Sequence, residues 1–252
     1  MMAGTPIPAV VFEELDSTNA EARRRADAGE RGPVWLMARR QSAGRGRRGR
    51  AWDGGQGNLT ATLLLTLDKP PLEAAQLAFV AALAAGRTIA SYVPASILRL
   101  KWPNDVLIGG DKVCGMLIES GSAPGGGLWL AVGIGINLVS YPTGIERSAM
   151  AVAEHLRHDV SRPPTPDEAL AVLSEDFASI LTLWLEQGFE PIRVAWTRMA
   201  AGLGGPCEAR LEGETVVGVA EGLDADGALL LRLPAGGTRR ITAGDVFFGA
   251  PS

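Results

Sequence analysis

Cysteine is nearly absent. The 252 residues hold two, Cys114 and Cys207, far apart and without CxxC spacing. That excludes a disulfide framework and a structural zinc site, and it suits a reducing compartment. Histidine is as scarce: His155 and His158 sit in a stretch that reads as helical, with no acidic or cysteine partner at metal-ligand spacing, and are expected on the surface. The N-terminus, Met-Met-Ala-Gly-Thr-Pro-Ile-Pro, lacks the basic start and apolar run of a signal peptide. No eighteen consecutive apolar residues occur, because Gly, Arg or Pro interrupts every greasy segment. There is no internal repeat, no low-complexity tail and no Gly-Lys-Ser/Thr of a Walker loop. The expectation is a soluble, cytoplasmic protein.

What is present is an ordinary core-forming composition, 46% hydrophobic and 21% charged with a net charge of −4. Such a length allows one large domain or a domain of about 200 residues with a small appendage. Against the acidic total stands one basic stretch, Ala38 to Leu59. Six of its first thirteen residues are arginine, interleaved with Gly44, Gly46 and Gly49. It cannot bury an apolar face, so it reads as an exposed loop that offers guanidinium groups and backbone N–H donors to an anion. In an acidic chain those arginines serve a local task, not a general polyanion surface.

The remaining pattern places this loop between strands. Val10–Leu15 reads as a strand, followed by a helix over Ala20–Ala28 that Ser17 and Thr18 would cap and Gly29 would stop. Strands at 34–38 and 59–67 flank the loop. A helix is expected over Glu73–Tyr92, then short strands over 98–102, 106–108, 112–119 and 128–138, with Gly109-Gly110 as a hairpin turn. Residues 149–200 turn helical around the amphipathic run 167–185. After Gly202-Leu-Gly-Gly-Pro206 come short strands at 207–211, 215–220, 228–233 and 238–242, the spacing of a small β-barrel. The pattern predicts an α+β chain with a mixed or antiparallel sheet packed with helices, divided into residues 1–201 and 202–252.

The loop spells Gly44-x-Gly46-x-x-Gly49, the dinucleotide pattern, but turn residues follow it where a helix is needed to face the pyrophosphate. Phosphate-backbone binding with Trp52 stacked on a base is a second reading, opposed by the acidic total. Lys101-Trp-Pro-Asn-Asp105 gathers a cation, an aromatic, an amide and a carboxylate. Lys112 heads a strand whose Gly115 permits close approach of a ligand or backbone. Each of these, taken singly, also has a purely structural reading.

Taken together, in order, the segments resemble biotin–protein ligases. The matching residues are Asp16-Ser-Thr-Asn19, Gln41-Ser-Ala-Gly-Arg-Gly-Arg-Arg-Gly-Arg50 with Trp52, and Gly57-Asn-Leu59. They continue through Lys101-Trp-Pro-Asn-Asp105, Lys112-x-x-Gly115-x-x-x-Glu119 and Gly133-x-Gly-x-Asn137. Gly222-Leu-Asp-x-x-Gly227 and Gly244-Asp-Val246 match the family's small C-terminal barrel of the Src-homology kind. The resemblance implies the class II synthetase-like catalytic fold and an ATP-dependent reaction. Biotin is activated to biotinyl-5′-AMP and passed to a lysine of a biotin carboxyl carrier protein, as in acetyl-CoA carboxylase, with Mg2+ on the phosphates.

By the same resemblance, Ser17, Thr18, Asn19 and Gln41 line a biotin site. Gly44, Arg45, Gly46 and Arg47 pass over biotin and the α-phosphate, and Gly115 stands beside them. Arg47, Arg48 and Arg50 face the phosphates, and Trp52, Asn104 and Asn137 shape the nucleotide side. Lys112 holds the reacting carboxylate and acyl-phosphate oxygens. Asp105 is the candidate for taking the proton of the carrier amine, and Arg47 joins Lys112 in catalysis.

The family also leads us to expect a homodimer. About nine residues precede the first strand, so the expected group is the one without an N-terminal DNA-binding domain. Thr60 stands where relatives often carry an aromatic, and Asp53-Gly-Gly replaces a usual Ser-Pro stretch. A lipoate or octanoate ligase or transferase on the same fold, and a nucleic-acid-binding regulator, are the alternatives.

Overall fold

The computed structural model describes residues 7–142 and 148–249; the first six residues, on which the targeting reading partly rests, lie outside the described residues. The chain opens with β1 (Ala9–Leu15), α1 (Thr18–Asp27), β2 (Val34–Gln41) and β3 (Leu59–Leu67). Helices α2 (Pro71–Ala74) and α3 (Leu77–Ala90) follow, then β4 (Leu98–Lys101), β5 (Asp105–Ile108), β6 (Asp111–Ser122) and β7 (Leu128–Ile136). After α4 (Pro166–Gln187) and α5 (Glu190–Met199) come β8 (Pro206–Arg210), β9 (Thr215–Leu223), β10 (Leu229–Arg232), β11 (Thr238–Ile241) and β12 (Asp245–Phe248).

Seven strands form one mixed sheet in the order β1-β2-β3-β7-β6-β5-β4, with β1 and β2 parallel and the other pairs antiparallel. Strand alternation gives the sheet two apolar faces. Trp35, Met37, Leu63, Val132 and Ile134 point to one side and pack under α3 and α4. Phe177 of α4 meets Trp35 edge-on, with ring centroids 5.8 Å apart. Val34, Leu36, Leu64, Trp129 and Ala131 point to the other side and pack against Ala22 and Ala26 of α1. Helix α1 covers only part of that second face, and the uncovered part becomes the floor of a cavity.

The last five strands form an antiparallel sheet, β11-β10-β9-β8-β12, which adds β12 to the four strands expected there. Its apolar residues join the main core, which runs without a break from the large sheet to Cys207, Leu229 and Val246. The indole N–H of Trp102 donates to Gly227 O at 3.0 Å, tying the turn after β4 to this sheet. Trp102 is buried, so its structural reading holds.

Three local expectations change. Helix α1 begins at Thr18, and no side chain caps it; the hydroxyl of Thr18 is engaged across the cavity instead. The single helix expected over 73–92 is two helices meeting at Ala75–Gln76, with Gln76 buried so that its Oε1 accepts from Trp184 Nε1 at 2.9 Å. The segment 71–90 is long and apolar enough by composition to cross a membrane, but most of it is buried within the fold. Between 149 and 165 the regular helical structure is one short 3-10 turn, Val152–His155, so His158 is not helical. Helix α4 starts where Thr165 and Glu168 cap each other reciprocally, with Pro166 in the first turn.

Candidate active site

Register explains the floor of the cavity. Thr60 of β3 pairs with Gly135 of β7, Gly135 with Gly115 of β6, and Gly115 with Asp105 of β5. The next row on the same face runs from Thr62 through Gly133 to Leu117. Glycine at three of these positions leaves bare backbone on which larger groups lie. A methyl group at Gly135 would sit 2.4 Å from the Trp52 indole, and one at Gly133 would sit 2.2 Å from Asn19 Oδ1. One at Gly115 would meet Lys112 Nζ at 2.7 Å. These glycines are needed for what rests on them.

One end of the cavity is a polar cluster. Gln41 Oε1 accepts from the Thr18 backbone N at 2.8 Å and lies 3.1 Å from the Thr18 hydroxyl. Thr62 Oγ1 lies 2.7 Å from both Thr18 Oγ1 and Asn19 Oδ1. Asn19 Nδ2 donates to Glu119 Oε2 at 2.7 Å. Asp16 locks the start of α1 beneath this cluster, holding both terminal nitrogens of Arg24 at 2.9 and 2.8 Å. The Arg24 guanidinium pulls the Asp16 carboxyl down to about 2.

The middle holds the charges. Lys112 Nζ is 2.6 Å from Asp105 Oδ1 and stands 5.5 Å from the centre of the Trp52 ring. Asp105 is buried, although it has the sequence of a surface turn. Trp52 Nε1 and Asn137 Oδ1 are buried polar atoms without a hydrogen-bond partner, and both residues line the cavity. Such atoms are costly unless a ligand or water meets them.

The arginine loop closes the top, and it is more regular than expected. The backbone pairs Gly44 with Trp52, Arg45 with Ala51 and Gly46 with Arg50, with a 3-10 turn at Arg47–Gly49 as its tip. It is a small hairpin folded over the floor. Arg47 is partly buried, its Nη1 donating to Asn104 Oδ1 at 3.1 Å and its Nη2 to Gly244 O at 2.9 Å. Burial pushes the Arg47 guanidinium below its ordinary value, against the pull of Asp245 and Asp105.

The enclosed volume is about 350 Å3, within the range of small-molecule sites. Fourteen of the expected residues border it: Ser17, Thr18, Asn19, Gln41, Arg45, Gly46, Arg47, Arg50, Trp52, Asn104, Asp105, Lys112, Gly115 and Asn137. Gly44 and Arg48 do not. Gly44 acts through the backbone, since a methyl group there would strike Trp52 O at 2.3 Å. Arg48 turns outward to Asp245 Oδ2 at 3.4 Å.

Thr60, Thr62, Gly133, Gly135 and Asp245 also build the site, although the sequence assigns them no site role: Gly133, Gly135 and Asp245 stand there only as members of family-like motifs, and Thr60 only as a departure from them. The alternation Gly133-x-Gly135-x-Asn137 inside an apolar strand was a usable signal, as was Thr60-x-Thr62. Asp245 lies in the Gly244-Asp-Val246 segment, which reads from sequence as part of the barrel and not of the cavity. Among the described residues, no cluster of three His, Cys, Asp or Glu could hold a metal ion.

Comparisons with known proteins agree with this geometry. The Biotin/lipoate A/B protein ligase family matches residues 11–138, and the Biotin protein ligase C terminal domain matches residues 202–249. The chain is 44% identical to the biotin–[acetyl-CoA-carboxylase] ligase of Paracoccus denitrificans, over 95% of this chain and 100% of that protein. It is 31% identical to the enzyme of the same name from Mycobacterium tuberculosis, over 94% and 87% of the two chains. The structure superposes on the biotin protein ligase of Aquifex aeolicus solved with biotin and ATP, with a TM-score of 0.81 and 26% identity over 96% and 99% of the chains. With both family regions matched in order and a full-length relative at this identity, the chain belongs to the biotin/lipoate A/B protein ligase family, among its biotin protein ligases.

Proposed function

We propose that the protein joins biotin to ATP as biotinyl-5′-AMP and then transfers the biotinyl group to a lysine of a biotin carboxyl carrier protein. The observation that carries this reading is Lys112 on a glycine floor, with a donor- and acceptor-rich pocket at one side and an arginine hairpin above. In the first step a biotin carboxylate oxygen attacks the α-phosphorus of ATP and pyrophosphate leaves. In the second the neutral ε-amine of the carrier lysine attacks the biotinyl carbonyl and AMP leaves, carrying the bonding pair on its phosphate oxygen.

Each step accumulates negative charge on oxygen, which fixed cations stabilise without reorganising. Lys112 meets the carboxylate, and Arg47 and Arg50 the phosphates. Thr18, Asn19, Gln41 and Ser17 offer both donors and acceptors, as a ureido ring requires. Trp52, Asn104 and Asn137 bound the nucleotide side, where Trp52 Nε1 and Asn137 Oδ1 await partners.

Asp105 neutralises Lys112 until the biotin carboxylate competes for it. The displaced Asp105 carboxylate is then the acceptor for the carrier amine's proton. Magnesium fits this site as a companion of the triphosphate, since such ions use one or two carboxylates plus phosphate oxygens and need no protein cage. Asp53, Asp105 and Asp245 are the carboxylates on the cavity wall among the described residues. Its part is to offset phosphate charge when bound.

We take residues 1–201 as the catalytic unit and 202–252 as the small barrel. We assign the protein to the cytoplasm, in keeping with two free, buried thiols. We also assign it to a homodimer formed through the sheet; β1 is an edge strand, paired only with β2 in that sheet, and sedimentation tests this. A nucleic-acid role finds little support, because Arg47 is bonded to Asn104 and the barrel, and Arg48 and Arg50 are ion-paired with Asp245. Incubation with ATP and either biotin, lipoate or octanoate tests the substrate. Pyrophosphate and an acyl-adenylate should form with biotin; formation with lipoate or octanoate alone would move the protein to the other branch of the family.

A further inference from the structure

The barrel reaches the cavity through one strand. Asp245, the first residue of β12, lies 195 residues from Arg50, yet both its carboxylate oxygens stand 2.9 and 2.8 Å from Arg50 Nη2. Arg48 Nη1 is 3.4 Å from the same carboxylate, and Arg47 Nη2 donates to the preceding carbonyl, Gly244 O, at 2.9 Å. Three arginines of the hairpin tip therefore converge on two adjacent barrel residues. The acid is the sheltered partner: its side chain is 13% exposed, against 44% and 46% for Arg48 and Arg50.

The strand behind Asp245 is fixed. Val246 is buried, and the Phe247 ring has Arg210 4.2 Å and Lys101 5.6 Å from its centroid. Phe248 lies so close to Gly202 that a methyl group there would come within 2.1 Å of the ring. The hairpin, by contrast, carries strain. Arg48 has φ 56°, the one non-glycine residue with positive φ among the described residues. A residue in that region persists only where its surroundings over-determine it. An anchored carboxylate gripping Arg48 and Arg50, with a carbonyl gripping Arg47, supplies such surroundings.

We propose that Asp245 is a positioning residue that latches the arginine hairpin to the C-terminal barrel, and so holds the cavity closed over its bound intermediate. The barrel is then the second jaw of the site. The identity of the intermediate rests on the ligase reading above; the latch does not.

Two measurements on the full chain separate them, using Asp245→Asn, which keeps the size and removes the charge, and Asp245→Glu, which restores it. The first is limited trypsin digestion without ligands, with cleavage after Arg47, Arg48 and Arg50 followed by mass spectrometry below the melting temperature of each variant. Asp245→Asn should be cut about tenfold faster than the unmodified protein, the scale of losing a partly exposed ion-pair network that restrains local opening. Asp245→Glu should be cut at nearly the original rate, a rescue that simple loss of stability would not give. The second is escape of preformed biotinyl-AMP in the absence of carrier, which should be faster in Asp245→Asn by a similar factor.

Equal cleavage of the unmodified protein and Asp245→Asn would overturn the latch, whatever the activity. So would a failure of Asp245→Glu to restore resistance. Faster cleavage of Asp245→Asn in a protein that forms no adenylate would sustain the latch and sink the ligase reading.

Discussion

Lys112 Nζ and Asp105 Oδ1 are 2.6 Å apart on neighbouring strands, the lysine side chain lying over Gly115, which is the register partner of Asp105. The aspartate is buried and the lysine is partly open to the cavity. The pair therefore keeps a cation at the proposed reaction centre and provides its counter-charge. Removing one member takes away the other's close counter-charge.

Lys112→Ala should slow pyrophosphate release by about 10²–10³-fold, the scale for losing one fixed transition-state donor. It should also lower stability, because buried Asp105 loses the cation 2.6 Å from it. Adding Asp105→Asn to Lys112→Ala should recover much of that stability and none of the rate. Denaturant melts of the double-mutant cycle, set beside single-turnover adenylation, measure both. Recovery of the rate in the double variant would remove Lys112 from the chemistry.

The glycine floor makes a sharper steric claim. Gly135→Ala places a methyl group 2.4 Å from the Trp52 indole, and Gly133→Ala places one 2.2 Å from Asn19 Oδ1. The first should chiefly raise KM for ATP and the second KM for biotin, each by at least about tenfold, as expected when a packed contact is displaced by well under a side chain's width. Steady-state kinetics with each substrate varied in turn is the check. The same effect on both substrates in both variants would mean that the cavity is not divided as described.

Arg47 ties the hairpin to Asn104 and to the barrel carbonyl at Gly244. Arg47→Ala should let biotinyl-AMP escape about tenfold or more faster and should slow adenylation less than Lys112→Ala does, because the cover loosens and one phosphate cation is lost but Lys112 remains. Filter-binding decay of the preformed complex follows this directly. Added biotin should also slow trypsin cutting near Arg47, since ligand contacts offset the cost of ordering a glycine-rich segment.

Asp16 gives a pH dependence. The Arg24 guanidinium lowers its pKa from 3.8 to about 2. A depressed folded-state pKa stabilises the fold above the unfolded value, and that contribution is lost as pH falls from about 4 towards 2. Both side chains are about half exposed, so solvent screening limits it to less than about 1 kcal/mol. Asp16→Asn should flatten the acid limb of the stability profile by that small amount, measured by urea titration at pH 4 and below. An unchanged slope would show that the pair is fully screened.

Much of this site was legible in the chain because its chemistry is concentrated in short segments. An arginine-glycine loop cannot be a core element, and a lysine beside Gly115 at the head of a strand invites a ligand. The roles of Thr60, Thr62, Gly133 and Gly135 were not legible because they arise from cross-strand register between segments some seventy residues apart. Ser17-Thr18 looked like a helix cap since the local spacing is the same, but the Thr18 hydroxyl is engaged elsewhere, by Gln41 and Thr62. Asp245 depends on how the barrel seats against the hairpin, which no local pattern encodes. The break between α2 and α3 was hidden by continuous helix formers, with only a buried Gln76 bonded to Trp184 to mark it.

The most direct test of the central claim is transfer itself. The protein, ATP, biotin and a biotin carboxyl carrier domain are mixed, and the carrier is analysed by intact and peptide mass spectrometry. The account predicts one biotinyl group on one carrier lysine, dependent on ATP, and none when that lysine is replaced by arginine. A carrier left unmodified, with no biotinyl-AMP formed, would contradict it.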